Sequence, residues 1–214
     1  MSFALGVFDV FAYMLPGSLY VTVVGYVLVR LNRWDVLPWL AANVLTAVLL
    51  AAVLSFFVGH LSYGFGRWAN RLVPGYERRG VGGVRADFLR RNPTAAGRRY
   101  LELDPFLLLA KIQLSDGEVA TEISRLRSFG LMLRHSFPPL SALAVVCVVE
   151  AVAAPSHRWP ALAGVLLFGA SAYGALSQGR EKMEWAVTKT LEVAYWVEGA
   201  DGPALPPPVP PATP

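Results

Sequence analysis

The chain has 214 residues, 55% of them apolar and only 16% charged, with a mean hydropathy of +0.45. That balance excludes an ordinary soluble domain. The pI of 9.4 comes from arginine, which supplies 16 of the 19 bases, and the single cysteine, Cys147, excludes an intrachain disulfide.

A helix crossing about 30 Å of hydrocarbon needs about 20 apolar residues. Four runs, roughly 3–29, 36–63, 137–154 and 159–178, meet or approach that length. The expected fold is all-α: an integral membrane protein with four transmembrane helices and a helical cytoplasmic domain. Its expected divisions are 1–63 (an N-terminal helix and spans one and two), 64–136 (a basic helical cytoplasmic segment), 137–178 (spans three and four), 179–199 (a cytoplasmic amphipathic helix) and a disordered Pro-rich tail, 200–214.

The first run, "MSFALGVFDVFAYMLPGSLYVTVVGYVLVR", lacks the basic n-region and A-x-A site of a cleaved signal. It carries one acid, Asp9, and one helix-breaking pair, Pro16-Gly17. These predict an amphipathic N-terminal piece that ends at Pro16 and a crossing helix that begins there. Asp9 then lies at the cytoplasmic end of the membrane, in the headgroups or at a pore mouth. Span two holds Asn43, Thr46, Ser55 and His60, which can hydrogen-bond between helices; Trp34, Trp39 and Trp159 fit an outer aromatic belt, and Tyr63, Phe65 and Trp68 an inner one.

Thirteen of the bases fall between spans two and three, which places that segment inside and both termini in the cytoplasm. Residues 64–104 are rich in Gly and Arg, with an arginine-rich loop over 78–99. Its doublets Arg78-Arg79, Arg90-Arg91 and Arg98-Arg99 suit phosphate, so a nucleotide, an oligonucleotide or anionic lipid can dock there. The same bases also serve simply to hold the loop inside. The glycines at 80, 82 and 83 are not a P-loop, because no Gly-Lys-Ser/Thr follows. Residues 105–136 read as helical, with Ser115 and Glu118 as a capping box and Val119, Ile123, Leu126, Gly130 and Leu133 at helical spacing. That helix is expected to lead to Pro138-Pro139, where span three starts.

Span three carries Glu150 about a turn from its outer end. A carboxylate in hydrocarbon costs about 2.5–3.5 kcal/mol on insertion scales, so it faces water or a partner. Asp9 and Glu150, repeated in a homo-oligomer, would form acid rings that attract cations. Glu150 can equally snorkel to the interface or pair with Arg158. Span four is dense in small residues, Gly164, Gly169, Ala170, Ser171, Gly174 and Ala175, which suit close helix contact. It is expected to continue into a stripe of Met183, Val187, Leu191 and Ala194 that packs on 118–136.

No enzyme signature, metal-ligand spacing or cofactor motif occurs, so neither an enzyme nor a cofactor is expected. The opening "FDVFAYMLPGSLY" resembles the F-D-x-F-x-Y-x-x-P-G start of small multi-spanning bacterial effectors of nucleotide-signalling anti-phage defence, of the Hailong type. The resemblance covers about a dozen residues and the general layout. It implies an oligomeric channel held shut by a nucleic-acid-type ligand, with a nucleotide-synthesising enzyme as partner. The sequence therefore supports two functions: a homo-oligomeric channel, tetrameric by preference, or a non-conducting anchor that recruits a partner through its basic face.

Overall fold

The computed structural model describes residues 3–31, 38, 42–72, 81–154, 156 and 158–197. These residues are all helical where regular, with six α-helices: α1 (Phe3–Arg30), α2 (Val44–Leu72), α3 (Val81–Arg91), α4 (Pro105–Ser115), α5 (Gly117–Ala153) and α6 (Arg158–Trp196). Two 3-10 turns, Pro93–Ala95 and Arg99–Leu101, join α3 to α4. Four helices, α1, α2, α5 and α6, are long and apolar enough to cross a membrane. The all-helical expectation holds, and its reason is general: in hydrocarbon each backbone N–H and C=O must be satisfied within the segment itself.

Long helices pack side by side in the order α2, α1, α5, α6. The α1–α2, α1–α5 and α5–α6 contacts are extensive, and α2 touches α5 only briefly. The four therefore form a layer rather than a closed bundle. Register follows from the facing residues. Along α5 and α6, Gly130 faces Met183, Arg134 faces Gly179 and Cys147 faces Gly164, so the two run antiparallel. Phe11 and Ala12 of α1 lie beside Ser128, Phe129 and Met132 of α5, whereas Arg30 reaches Glu150, 120 residues later; α1 and α5 are thus parallel.

At one end the layer carries a cap. The lower parts of α5 and α6, with α3, α4 and the 3-10 turns, enclose a core of Phe88, Tyr100, Leu108, Ile112, Ala120 and Leu191. Phe88, Tyr100 and Leu108 are each 1% exposed and Leu191 is 0% exposed. The stripe expected on α6 packs on the start of α5, as the Ala120, Leu191 and Ala194 cluster shows.

Three expectations are corrected. First, α1 does not divide at Pro16-Gly17; it runs unbroken from Phe3 to Arg30 with Pro16 inside. Breaking the helix in an apolar medium would strand more backbone groups than the one hydrogen bond that proline removes. Second, the expected loop is helical over Val81–Arg91, because Val84 and Phe88, one turn apart, are buried against the cap. Third, the cap residue of α5 is Asp116, not Ser115. Its carboxylate accepts from the Glu118 and Val119 amides, both at 3.1 Å, while Ser115 is the last residue of α4. The helix leads straight to Pro138-Pro139, as expected, and α5 passes through both.

Trp34, Trp39, Arg78, Arg79 and the tail 200–214 lie outside the described residues. Asp9, Tyr63, Phe65, Trp68 and Arg99 belong to described backbone, but their side chains lie outside the described part.

Candidate functional site

The polar chemistry of the membrane layer gathers at one place. Arg30 ends α1 and Glu150 stands one turn before the end of α5; because the helices are parallel, both side chains come to the same level. The Arg30 Nε donates to Glu150 Oε1 at 2.6 Å and Nη2 to Oε2 at 3.4 Å. This is a two-point pair of the kind that fixes geometry as well as charge. Tyr26, one turn earlier on α1, brings its hydroxyl near the same carboxylate. Glu150 is only 20% exposed, but Arg30 keeps 58% of its side chain exposed. The partner of Glu150 is therefore Arg30 rather than Arg158.

Beside this pair lies a crevice of about 550 Å³. Its floor is α5, with Leu143, Val146 and Cys147; Thr22 and Tyr26 of α1 form one wall, and Ala161 and Phe168 of α6 the other. It exists because α1 and α6 flank α5 without packing on each other to any extent. The small Gly164 also lets Cys147 in: a Cβ there would lie 2.7 Å from its Sγ.

A second feature is the α1–α2 crossing. A Cβ on Gly17 would lie 1.7 Å from the Ser55 carbonyl oxygen, and one on Gly59 would lie 1.9 Å from that of Tyr13. The two helices touch backbone to backbone, and only glycine permits it. Pro16 is fully buried there. His60 packs on Tyr13 across the α1–α2 crossing with ring centroids 4.0 Å apart.

The cap holds the described arginines. Arg90 and Arg91 end α3, where cations favour the helix C-terminus. Arg90 pairs with Asp87 at 3.4 Å and stays 80% exposed, while Arg91 reaches Glu192 of α6 at 3.7 Å. Arg98 follows the first 3-10 turn, its amide bonded to the Ala95 carbonyl. Two arginines outside the doublets carry structural work that sequence spacing did not mark. Arg85 donates to the Leu103 carbonyl at 2.6 Å, and the Arg127 guanidinium lies 3.9 Å from the centre of the Phe106 ring.

Among the described residues no group of three or more His, Cys, Asp or Glu side chains could hold a metal ion. Arg30 is a site residue that no motif or spacing marks. Its position one turn after Tyr26, at the end of a span in a protein with two intramembrane acids, was the available clue.

The comparisons with known proteins add no relative: no protein family, no curated protein and no solved structure matches the chain.

Proposed function

We propose that the chain is one protomer of a homo-oligomeric ion channel in a bacterial inner membrane, with both termini and the cap in the cytoplasm. The observation that carries this reading is the continuity of α5 and α6, 37 and 39 residues long, from the cap core into the membrane layer. A ligand that shifts the cap would move two spans directly. Four helices laid side by side enclose no pore, so conduction requires several copies, of which a tetramer is the favoured number. The concentration of bases between spans two and three supports the inside placement of the cap.

Phosphate-rich ligands, a nucleotide or an oligonucleotide, suit the exposed Arg90 and its neighbours Arg91 and Arg98. With the likeness of "FDVFAYMLPG" to anti-phage effectors, this favours a membrane-disrupting channel controlled by a nucleotide-type signal from a partner enzyme. Cation preference rests on Asp9, since Glu150 is neutralised by Arg30. The test is flux through liposomes of defined composition, with oligomeric state measured on the same preparation. A stable oligomer that conducts cations, and loses selectivity in Asp9→Asn, is the expected result; a monomer without flux would sink the proposal. The second reading, a non-conducting anchor, is favoured by the ion pairing of Glu150 and Arg91, which leaves fewer charges to act on ions or ligands. It predicts no flux and a soluble partner whose capture depends on Arg90.

A further inference from the structure

The crevice beside Arg30 and Glu150 has the shape and the chemistry of one lipid, not of a pore or a catalytic pocket. We propose that it binds a membrane phospholipid, with the phosphate on the exposed edge of the Arg30 guanidinium and one acyl chain lying along α5 between α1 and α6. The inference stands whether or not the protein conducts ions.

Three observations carry it. The first is polarity by depth. The charged groups, Arg30 and Glu150, sit at the end where α1 and α5 terminate, with Tyr26 one turn below; Val146, Leu143 and Phe168 line the deeper part, where the Thr22 hydroxyl is turned to the Ser18 carbonyl of its own helix. That gradient is the one a phospholipid presents, headgroup first and hydrocarbon behind. The second is length. From Pro160 to Phe168 the α6 wall covers about 12 Å at about 1.5 Å per residue, close to half of a hydrocarbon core of about 30 Å. The crevice is thus about one leaflet deep. A helix from a second copy, about 10 Å across and crossing the whole layer, would need a groove that continues beyond Phe168. The third is charge. Glu150 is held by Arg30, so the group offered outward is the guanidinium, 58% exposed. Guanidinium forks bind phosphate by two parallel hydrogen bonds, and the volume lies within the range of small-molecule sites.

The test uses the full chain purified in mild detergent and read by native mass spectrometry. Phosphatidylglycerol and a diacylglycerol with the same acyl chains are titrated in turn. One phospholipid per chain is expected, retained roughly tenfold more strongly than the diacylglycerol, as a charge-assisted bond to phosphate would give. Ala161→Trp, which fills the crevice, should lower retention by at least a similar factor. Arg30→Gln should abolish the preference for phosphate but leave diacylglycerol binding as it was. Equal retention of both lipids by the unmodified protein would overturn the proposal, and this comparison needs no variant to fold. Equal phospholipid retention by folded Ala161→Trp would do the same. So would Cys147, on the crevice floor, being shielded from a maleimide in delipidated oligomer and exposed on dilution to monomer, because the occupant would then be a second copy.

Discussion

The cap and the membrane layer of this protein are held together in opposite ways. In the cap, a core of large side chains is sealed off, with Phe88, Tyr100, Leu108 and Leu191 at 1% exposed or less, although Leu107 and Leu114 on the outer side of α4 stay 63% and 90% exposed. In the layer large side chains point outward, with Leu45 at 75%, Leu61 at 73%, Val152 at 80% and Leu166 at 74% exposed, and the helices meet through Gly17, Gly59, Gly130 and Gly179. The difference follows from solvent. Water rewards burial of apolar area, about 25 cal/mol per Å²; lipid tails are as apolar as leucine, so in the layer only close approach and polar contacts favour one helix against another. The same sequence thus uses large residues as cement in one half and as a lipid-facing coat in the other.

Substitutions should separate the halves. The largest effect is expected from Phe88→Ala, a cavity in the cap core costing about 3–5 kcal/mol. Limited proteolysis should then cut within 81–116, while the four long helices stay protease-resistant in membranes. Loss of all four together would show that the halves are not independent. Gly17→Val should act in reverse. Its side chain would collide with the Ser55 carbonyl, and overpacking costs typically about 1–3 kcal/mol. Cross-linking of cysteines introduced at Tyr13 and Gly59 should fall while cap proteolysis is unchanged. The smallest effect is at the junction of α4 and α5: Asp116→Ala should lower thermal stability by about 0.5–2 kcal/mol, the worth of an N-cap, and Ser115→Ala should leave it unchanged. Equal effects of the two would restore Ser115 as the cap.

How far the sequence could be read depends on which solvent decided the structure. The four spans were legible because hydropathy is a local property, and so was the pairing of the Met183–Ala194 stripe with the start of α5, a helical period visible in residues. Pro16 misled because its cost is known from water, where a broken helix can turn its freed groups to solvent; in the layer it stays within one helix. Gly82 and Gly83 lowered the local propensity for helix over 81–91, yet Val84 and Phe88 had a core to meet, and packing outweighed propensity. The capping box failed by a single position, since α4 extends to Ser115 and leaves Asp116 to turn the chain. The Arg30–Glu150 pair was out of reach of any spacing rule. It depends on two helices being parallel, and nothing in a single sequence gives the register between residues 120 apart.

At about 1.5 Å per residue the 37 residues of α5 form a rod of about 55 Å, anchored by its lower third in the cap. Such a rod is a lever: a tilt of about 5° at the anchored end carries the tip about 5 Å sideways. Pro138 and Pro139 deprive the Arg134 and His135 carbonyls of their usual amide donors, so the rod's compliant joint lies just above the cap. On α6 the facing side of that joint is Gly179, whose backbone lies so close to those of Arg134 and Gly130 that no side chain would fit between them. Arg30 and Glu150 lie at the far tip, where the travel is greatest.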